Sequence, residues 1–142
     1  MATARSEHSA TSLHDGRILI VGGVLLDAGS GPVHSAELYD ARTGTFSLTG
    51  SMAHVDPTAT LLIDGRVLIA GGSSASGEAQ FLGMLYAAEL FDPATGVFDP
   101  TGSIVNARER GTATLLSDGR VLLTGGDDGV QAYLDSAELY AP

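Results

Sequence analysis

Charged residues that occupy matching positions but differ in type are the groups in this 142-residue chain best placed to do chemistry. Arg5 and Glu7, His54 and Asp56, and Arg108 and Arg110 form three i, i+2 pairs. Each pair stands just ahead of a short β-prone stretch: Ser9-Ala10-Thr11, Thr58-Ala59-Thr60 or Thr112-Ala113-Thr114. In an extended strand, residues i and i+2 point to the same side, so each pair is expected to present both side chains to one surface, with His8 and Glu109 alongside. If the three sites meet around a common axis, guanidinium, imidazole and carboxylate groups converge there, a set suited to an acidic peptide or a polar sugar. The plainer alternative is a set of solvated strand ends joined by ion pairs.

Other patterns argue against catalysis. Glu37, Glu89 and Glu138 look like a triple carboxylate, but each sits in the same local context, Ala-Glu-Leu-aromatic. They read as framework, with the equally repeated Arg17, Arg66 and Arg120 as expected partners. The glycine pairs have neither the G-x-G-x-x-G nor the Walker spacing of a phosphate loop. No Gly-x-Ser-x-Gly elbow occurs, and His8, His14, His34 and His54 lack zinc-ligand spacing. Asp127, Asp128 and Asp135 are carboxylates without the alternating oxygen ligands of an EF-hand loop, and read as a solvated acidic loop. No metal and no cofactor is expected.

The elements that must position these residues come from an internal repeat. Asp-Gly-Arg occurs at Asp15-Gly16-Arg17, Asp64-Gly65-Arg66 and Asp118-Gly119-Arg120, and a Gly-Gly pair follows each at one fixed distance: Gly22-Gly23, Gly71-Gly72 and Gly125-Gly126. Ala-Glu-Leu-aromatic comes next, at Ala36 to Tyr39, Ala88 to Phe91 and Ala137 to Tyr140. In the first two copies Thr43-Gly44-Thr45-Phe46 and Thr95-Gly96-Val97-Phe98 follow. Each copy reads as an antiparallel meander. Its inner strand is small and β-prone, Asp-Gly supplies the hairpin turn, and the second strand is almost wholly apolar (Ile18–Val21, Val67–Ala70, Val121–Leu123). The third strand carries Ala-Glu-Leu-aromatic and the outer strand carries Phe46 or Phe98. The period is about 50 residues.

With Ala4-Arg5 leading into His8-Ser9-Ala10-Thr11, then Asp-Gly-Arg, Gly-Gly, a tyrosine strand and an aromatic strand, the chain resembles the kelch repeat, in its bacterial and galactose-oxidase-like version. The resemblance covers essentially the whole chain and implies an all-β fold of four-stranded β-propeller blades. Phe46 and Phe98 stand where kelch repeats usually carry tryptophan. Blade 1 is placed at about 1–52, blade 2 at about 53–104 and blade 3 at about 105–142, the last without its outer strand. The third strand of blade 3 is then an open edge.

Propellers typically close with four to eight blades, so nearly three form an incomplete arc with apolar flanks open at both ends. The expected remedy is self-association, two chains giving about six blades, or the remainder of a longer chain. The second-to-third-strand loops are the most variable part. The middle one carries Phe81, Leu82, Met84, Leu85 and Tyr86, which is an apolar partner-contact patch if exposed and ordinary core if the third strand starts early.

A net charge of −10 and a pI near 4.5 oppose binding to nucleic acid or to anionic membranes. No apolar run approaches the roughly 20 residues of a membrane helix. Met1 to Leu13 shows no signal-peptide pattern, the charge favours solubility, and the compartment is not legible. The reading is a binding or scaffold module that recognises a peptide or glycan through its loop face. A purely structural, self-assembling propeller piece is the alternative, and a sugar epimerase-like enzyme is a weaker one, needing an acid/base pair such as His54 with Asp56 or Glu7. The copper radical oxidases on this fold need a cysteine cross-linked to tyrosine, and this chain has no cysteine.

Overall fold

Small, hydroxyl-bearing residues allow the three inner strands to crowd together, and the apolar second strands are covered on both faces; the architecture follows from these two facts. In the computed structural model, which describes residues 1–25, 31–53, 56–72, 86–128 and 133–142, the first sheet has the order β1 (Ser9–Ser12), β2 (Arg17–Val21), β3 (Ser35–Asp40), β4 (Thr45–Ser51). The second sheet is β5 (Thr58–Leu61), β6 (Val67–Ala70), β7 (Ala88–Asp92), β8 (Val97–Pro100). The third contains β9 (Thr112–Leu115), β10 (Val121–Thr124) and β11 (Ala137–Tyr140), leaving β11 at an edge. All pairings are antiparallel between sequence neighbours.

The turn after each inner strand is wider than a two-residue hairpin. Gly16 N–H donates to Leu13 C=O at 3.1 Å and Leu13 N–H donates to Arg17 C=O at 2.8 Å. Gly16 has φ of +85°, so a four-residue turn ends in a left-handed glycine, a conformation that carries little penalty only without a Cβ. Asp15 Oδ1 accepts from Arg17 N–H at 3.0 Å and locks it. The other two Asp-Gly-Arg turns repeat these bonds.

Packing runs between sheets. Leu13, Leu19, Val21, Ala36 and Leu38 of the first sheet, with Met52, meet Val67, Ile69, Phe91 and Phe98 of the second. Leu62, Leu68, Ala70 and Ala88 of the second, with Ile104, then meet Val121, Leu123 and Tyr140 of the third. β6 therefore feeds both cores by alternation, and all four of its residues are buried. Inner strands touch in succession, β1 with β5 and β5 with β9. Ser9 Oγ donates to Pro57 C=O (2.7 Å) and Thr11 Oγ1 to Ala59 C=O (3.0 Å) across the first seam. These are the blades of a β-propeller in an incomplete arc.

Candidate functional site

Backbone geometry decides where the charged pairs point. Glu7, Asp56 and Arg110 have φ of +58°, +52° and +51°, the only non-glycine residues with positive φ among those described. They occupy one equivalent position in the three copies. A left-handed residue breaks the alternation of an extended strand: the Arg5 side chain is sealed in the blade while Glu7 is exposed, and Arg108 is buried while Arg110 is exposed, although both of the latter border one cleft. The i, i+2 expectation of two equally presented side chains differs from the structure here.

Arg5 turns inward. Its Nη1 donates to Gly22 C=O (3.1 Å) and Ser35 C=O (2.7 Å), and its Nη2 to Ser35 Oγ (3.2 Å) and Glu37 Oε1 (2.9 Å). Neither the Arg5 nor the Glu37 side chain is exposed. Glu37 also accepts from the N–H groups of Ala2 (2.7 Å) and Thr3 (3.1 Å). Burial pushes the Glu37 carboxyl up, but these two backbone donors and Arg5 outweigh it and hold it below the ordinary glutamate value. Arg108 repeats the arrangement on Gly125 C=O, Ser136 and Glu138 (3.3 Å), while Val105 and Asn106 N–H groups reach Glu138. In the second sheet Glu89 accepts from Ala53 N–H at 3.0 Å.

The repeated glutamates thus clamp the connection entering each blade. Their expected partners Arg17, Arg66 and Arg120 instead pair with Asp15, Asp64 and Asp118 two residues earlier, at 2.6, 2.6 and 2.7 Å. A sequence signal for the true pairing exists. The two copies with arginine read Ser-Ala-Glu-Leu (Ser35, Ser136), and the copy with His54 reads Ala87-Ala88-Glu89-Leu90, so the serine that receives the guanidinium comes and goes with the arginine.

What faces solvent is a different set. A cleft of about 480 Å³ lies on the face that carries the outer-to-inner and second-to-third-strand connections. Glu7 from the first blade, Asp56 from the second, and Arg108, Glu109 and Arg110 from the third line it, Arg108 from its buried place against Glu138. Arg110 bonds Asp127 at 3.0 Å and approaches Glu109 at 3.6 Å. Burial first, then the Asp127 carboxylate, pushes the Glu109 carboxyl up; Arg110 offsets this in part, and Asp56 adds to it. The two kinds of connection are stitched together by paired backbone bonds, Ser6 with Val24 and Glu109 with Asp127, which fixes the cleft wall. Asp127 is thus tied to two residues that line the cleft, Glu109 and Arg110.

His8 is exposed beside Gly23. Tyr86 is 39% exposed, and its C=O accepts from Ile104 N–H at 2.7 Å. His54, Phe81, Leu82, Met84 and Leu85 lie outside the described residues. Among the described residues, no group of three His, Cys, Asp or Glu is placed to hold a metal ion, and no helix is long and apolar enough to cross a membrane.

Meandering sheets stacked core to core around touching inner strands, with a cleft on the loop face, define the β-propeller class. Two solved propeller structures share the fold. One is a fungal alcohol oxidase of the AA5 family in complex with copper, with 19% identity over 98% of this chain and 29% of that one (TM-score 0.68). The other is YjhT, with 13% identity over 97% of this chain and 52% of that one (TM-score 0.72). The chain thus spans about half the length of YjhT and less than a third of the oxidase. No family model and no curated protein matches the sequence.

Proposed function

We propose that this chain is a binding or scaffold module of kelch type that recognises a peptide segment or a glycan through its loop face. The observation that carries the reading is the cleft lined by Glu7, Asp56, Glu109 and Arg110, because three blades converge on it with groups that differ from copy to copy. The groups at the Glu7, Asp56 and Arg110 position differ in charge from copy to copy, so no blade-building role common to the three accounts for them. The charge of the site follows from the same geometry. Glu7, Asp56 and Glu109 bring carboxylates to the cleft; of the two arginines that line it, Arg108 is bound to Glu138 and Arg110 is exposed. That balance favours a lysine- or arginine-bearing peptide over an acidic one, and keeps the polar sugar that the sequence also suggests, as a hydroxyl- or amine-rich glycan.

An array of basic, neutral and acidic peptides together with neutral, amino and sialylated glycans tests this. Basic peptides or amino glycans should be retained, with retention lost in Glu7→Lys and weakened by added salt. Retention of acidic probes alone, or binding indifferent to Glu7→Lys, would overturn the reading.

A further inference from the structure

Three short segments on the loop face of blade 3 form a ribbon of their own. Glu109 and Asp127 exchange both backbone hydrogen bonds, at 2.8 and 2.9 Å. Asp127 bridges in turn to Tyr133, beside which Leu134 N–H donates to Gly126 C=O at 2.8 Å. Residues directly opposite in an antiparallel pair put their side chains on one face, with Cβ atoms about 5 Å apart. The Glu109 and Asp127 carboxylates and the Tyr133 ring therefore share a side. Blade 1 builds the same ribbon from Ser6, Val24 and Pro32, which carry neither charge nor aromatic ring. The ribbon itself thus requires none of the three groups found in blade 3.

Tyr133 is 94% exposed, so its ring fills no core. Pro32, at the same place in blade 1, stays partly exposed although blade 2 follows it, so this position faces solvent within the arc as well. The two carboxylates are the reverse, with side chains only 12% and 16% exposed. They already hold one guanidinium: Arg110 Nη1 lies 3.0 Å from Asp127 Oδ2, and Nη2 lies 3.6 Å from Glu109 Oε2. That guanidinium does not saturate them, because burial and the Asp127 carboxylate still push the Glu109 carboxyl up with Arg110 in place. Nor is it firmly held. The Arg110 side chain is 77% exposed, and an ion pair so open to water contributes little. Arg110 thus displays the chemistry that the pair accepts, a planar fork of donors on two carboxylates.

We propose that the ligand of the cleft presents an arginine, whose guanidinium takes the place of Arg110 on Glu109 and Asp127 and lies against the Tyr133 ring. The inference rests on the cleft being a peptide site and names the group that this site selects. Arginine suits the seat better than lysine, because a guanidinium can bond two carboxylates and stack flat on a ring at once. Glu7 and Asp56, which line the cleft from the other two blades, keep the surroundings negative and disfavour an acidic residue beside that arginine.

Titration of the 142-residue protein with a blocked five-residue peptide bearing one central arginine, followed by NMR, tests the seat. Lysine and citrulline versions of the peptide, and cellobiose as a sugar probe, complete the set. The arginine peptide should bind, the lysine version about fivefold more weakly, and the uncharged citrulline version not measurably. Tyr133→Ala should weaken binding about tenfold, with Tyr133→Phe within about twofold of wild type. Both should melt with the wild type, since the ring packs on no core. Arg110→Gln should tighten binding, because the resident competitor is gone. Arginine binding that is lost in Glu7→Lys but indifferent to Tyr133→Ala and Arg110→Gln would overturn the seat and leave the cleft reading standing. Equal binding of the citrulline peptide would rule out guanidinium selection. Cellobiose bound through Tyr133 while the arginine peptide is ignored would replace the peptide with a sugar stacked on the ring. Failure of every probe would overturn this inference and the cleft reading together.

Discussion

The Arg5 guanidinium lies 2.9 Å from Glu37 Oε1, and both side chains are sealed from solvent. A buried ion pair of this kind contributes little against well-packed apolar residues but costs a great deal when one member is removed, because a lone charge then stays buried. Arg5→Ala and Glu37→Ala should each lower the unfolding free energy by about 3–5 kcal/mol, read from urea midpoints at constant m-value. The double replacement Arg5→Met with Glu37→Leu should recover much of that loss. The pair is also pH-sensitive. Glu37 is held below 4.5 in the folded state, so its stabilisation is present above that value and disappears as pH falls through the lower, folded-state value. Acid titration of the wild type and of Glu37→Gln should converge at low pH.

Glu109 titrates in the opposite sense. Its folded-state value is raised above 4.5 by burial and by Asp127. The folded protein therefore binds more protons than the unfolded chain between 4.5 and the raised value, and stability falls as pH rises through that window. Glu109→Gln should accordingly raise Tm at pH 7 and leave it unchanged near pH 4. Thermal melts across that range check this, and an equal gain at both pH values would contradict the assigned cause.

Strain at the third left-handed position predicts a reversal of ordinary propensity. Arg110 sits at φ +51°, where most L-residues lose about 1–2 kcal/mol and β-branched ones more. Arg110→Gly should hold or raise stability despite glycine's larger unfolded-state entropy, while Arg110→Val should lower it by about 1–2 kcal/mol. Denaturant unfolding of the two variants gives the comparison.

Gly71 and Gly125 share conformation and copy position but not surroundings. Gly71→Ala drives a methyl into the Arg108 carbonyl and should split the seam between blades 2 and 3, costing well above the 1–2 kcal/mol of left-handed strain alone. Gly125→Ala, with nothing within 4 Å of the added methyl, should cost only that strain. The difference between the two unfolding midpoints measures the seam contact directly.

Much of the fold was legible because it rests on repetition. Three Asp-Gly-Arg turns at fixed distance from three Gly-Gly pairs locate the strands without any tertiary knowledge, and the unbroken apolar run Val67–Ala70 announces a strand covered on both faces. The same comparison of copies separated framework from variable positions, and Glu37, Glu89 and Glu138 do serve the blades. Their partners differ from the expected Arg17, Arg66 and Arg120, since Asp-Gly-Arg binds its arginine within the turn and leaves the glutamates to Arg5, Arg108 and the entering backbone.

The blade plan and the strand order are written locally, because turn glycines and alternation act over a few residues and leave a periodic trace. Which charges face water depends instead on contacts between distant connections. A left-handed backbone at Glu7, Asp56 and Arg110 is stabilised by contacts between connections far apart in sequence, such as Ser6 with Val24 and Glu109 with Asp127. No local propensity encodes it. With that backbone, the Arg5 and Arg108 side chains turn onto Glu37 and Glu138, while Glu7 lines the cleft.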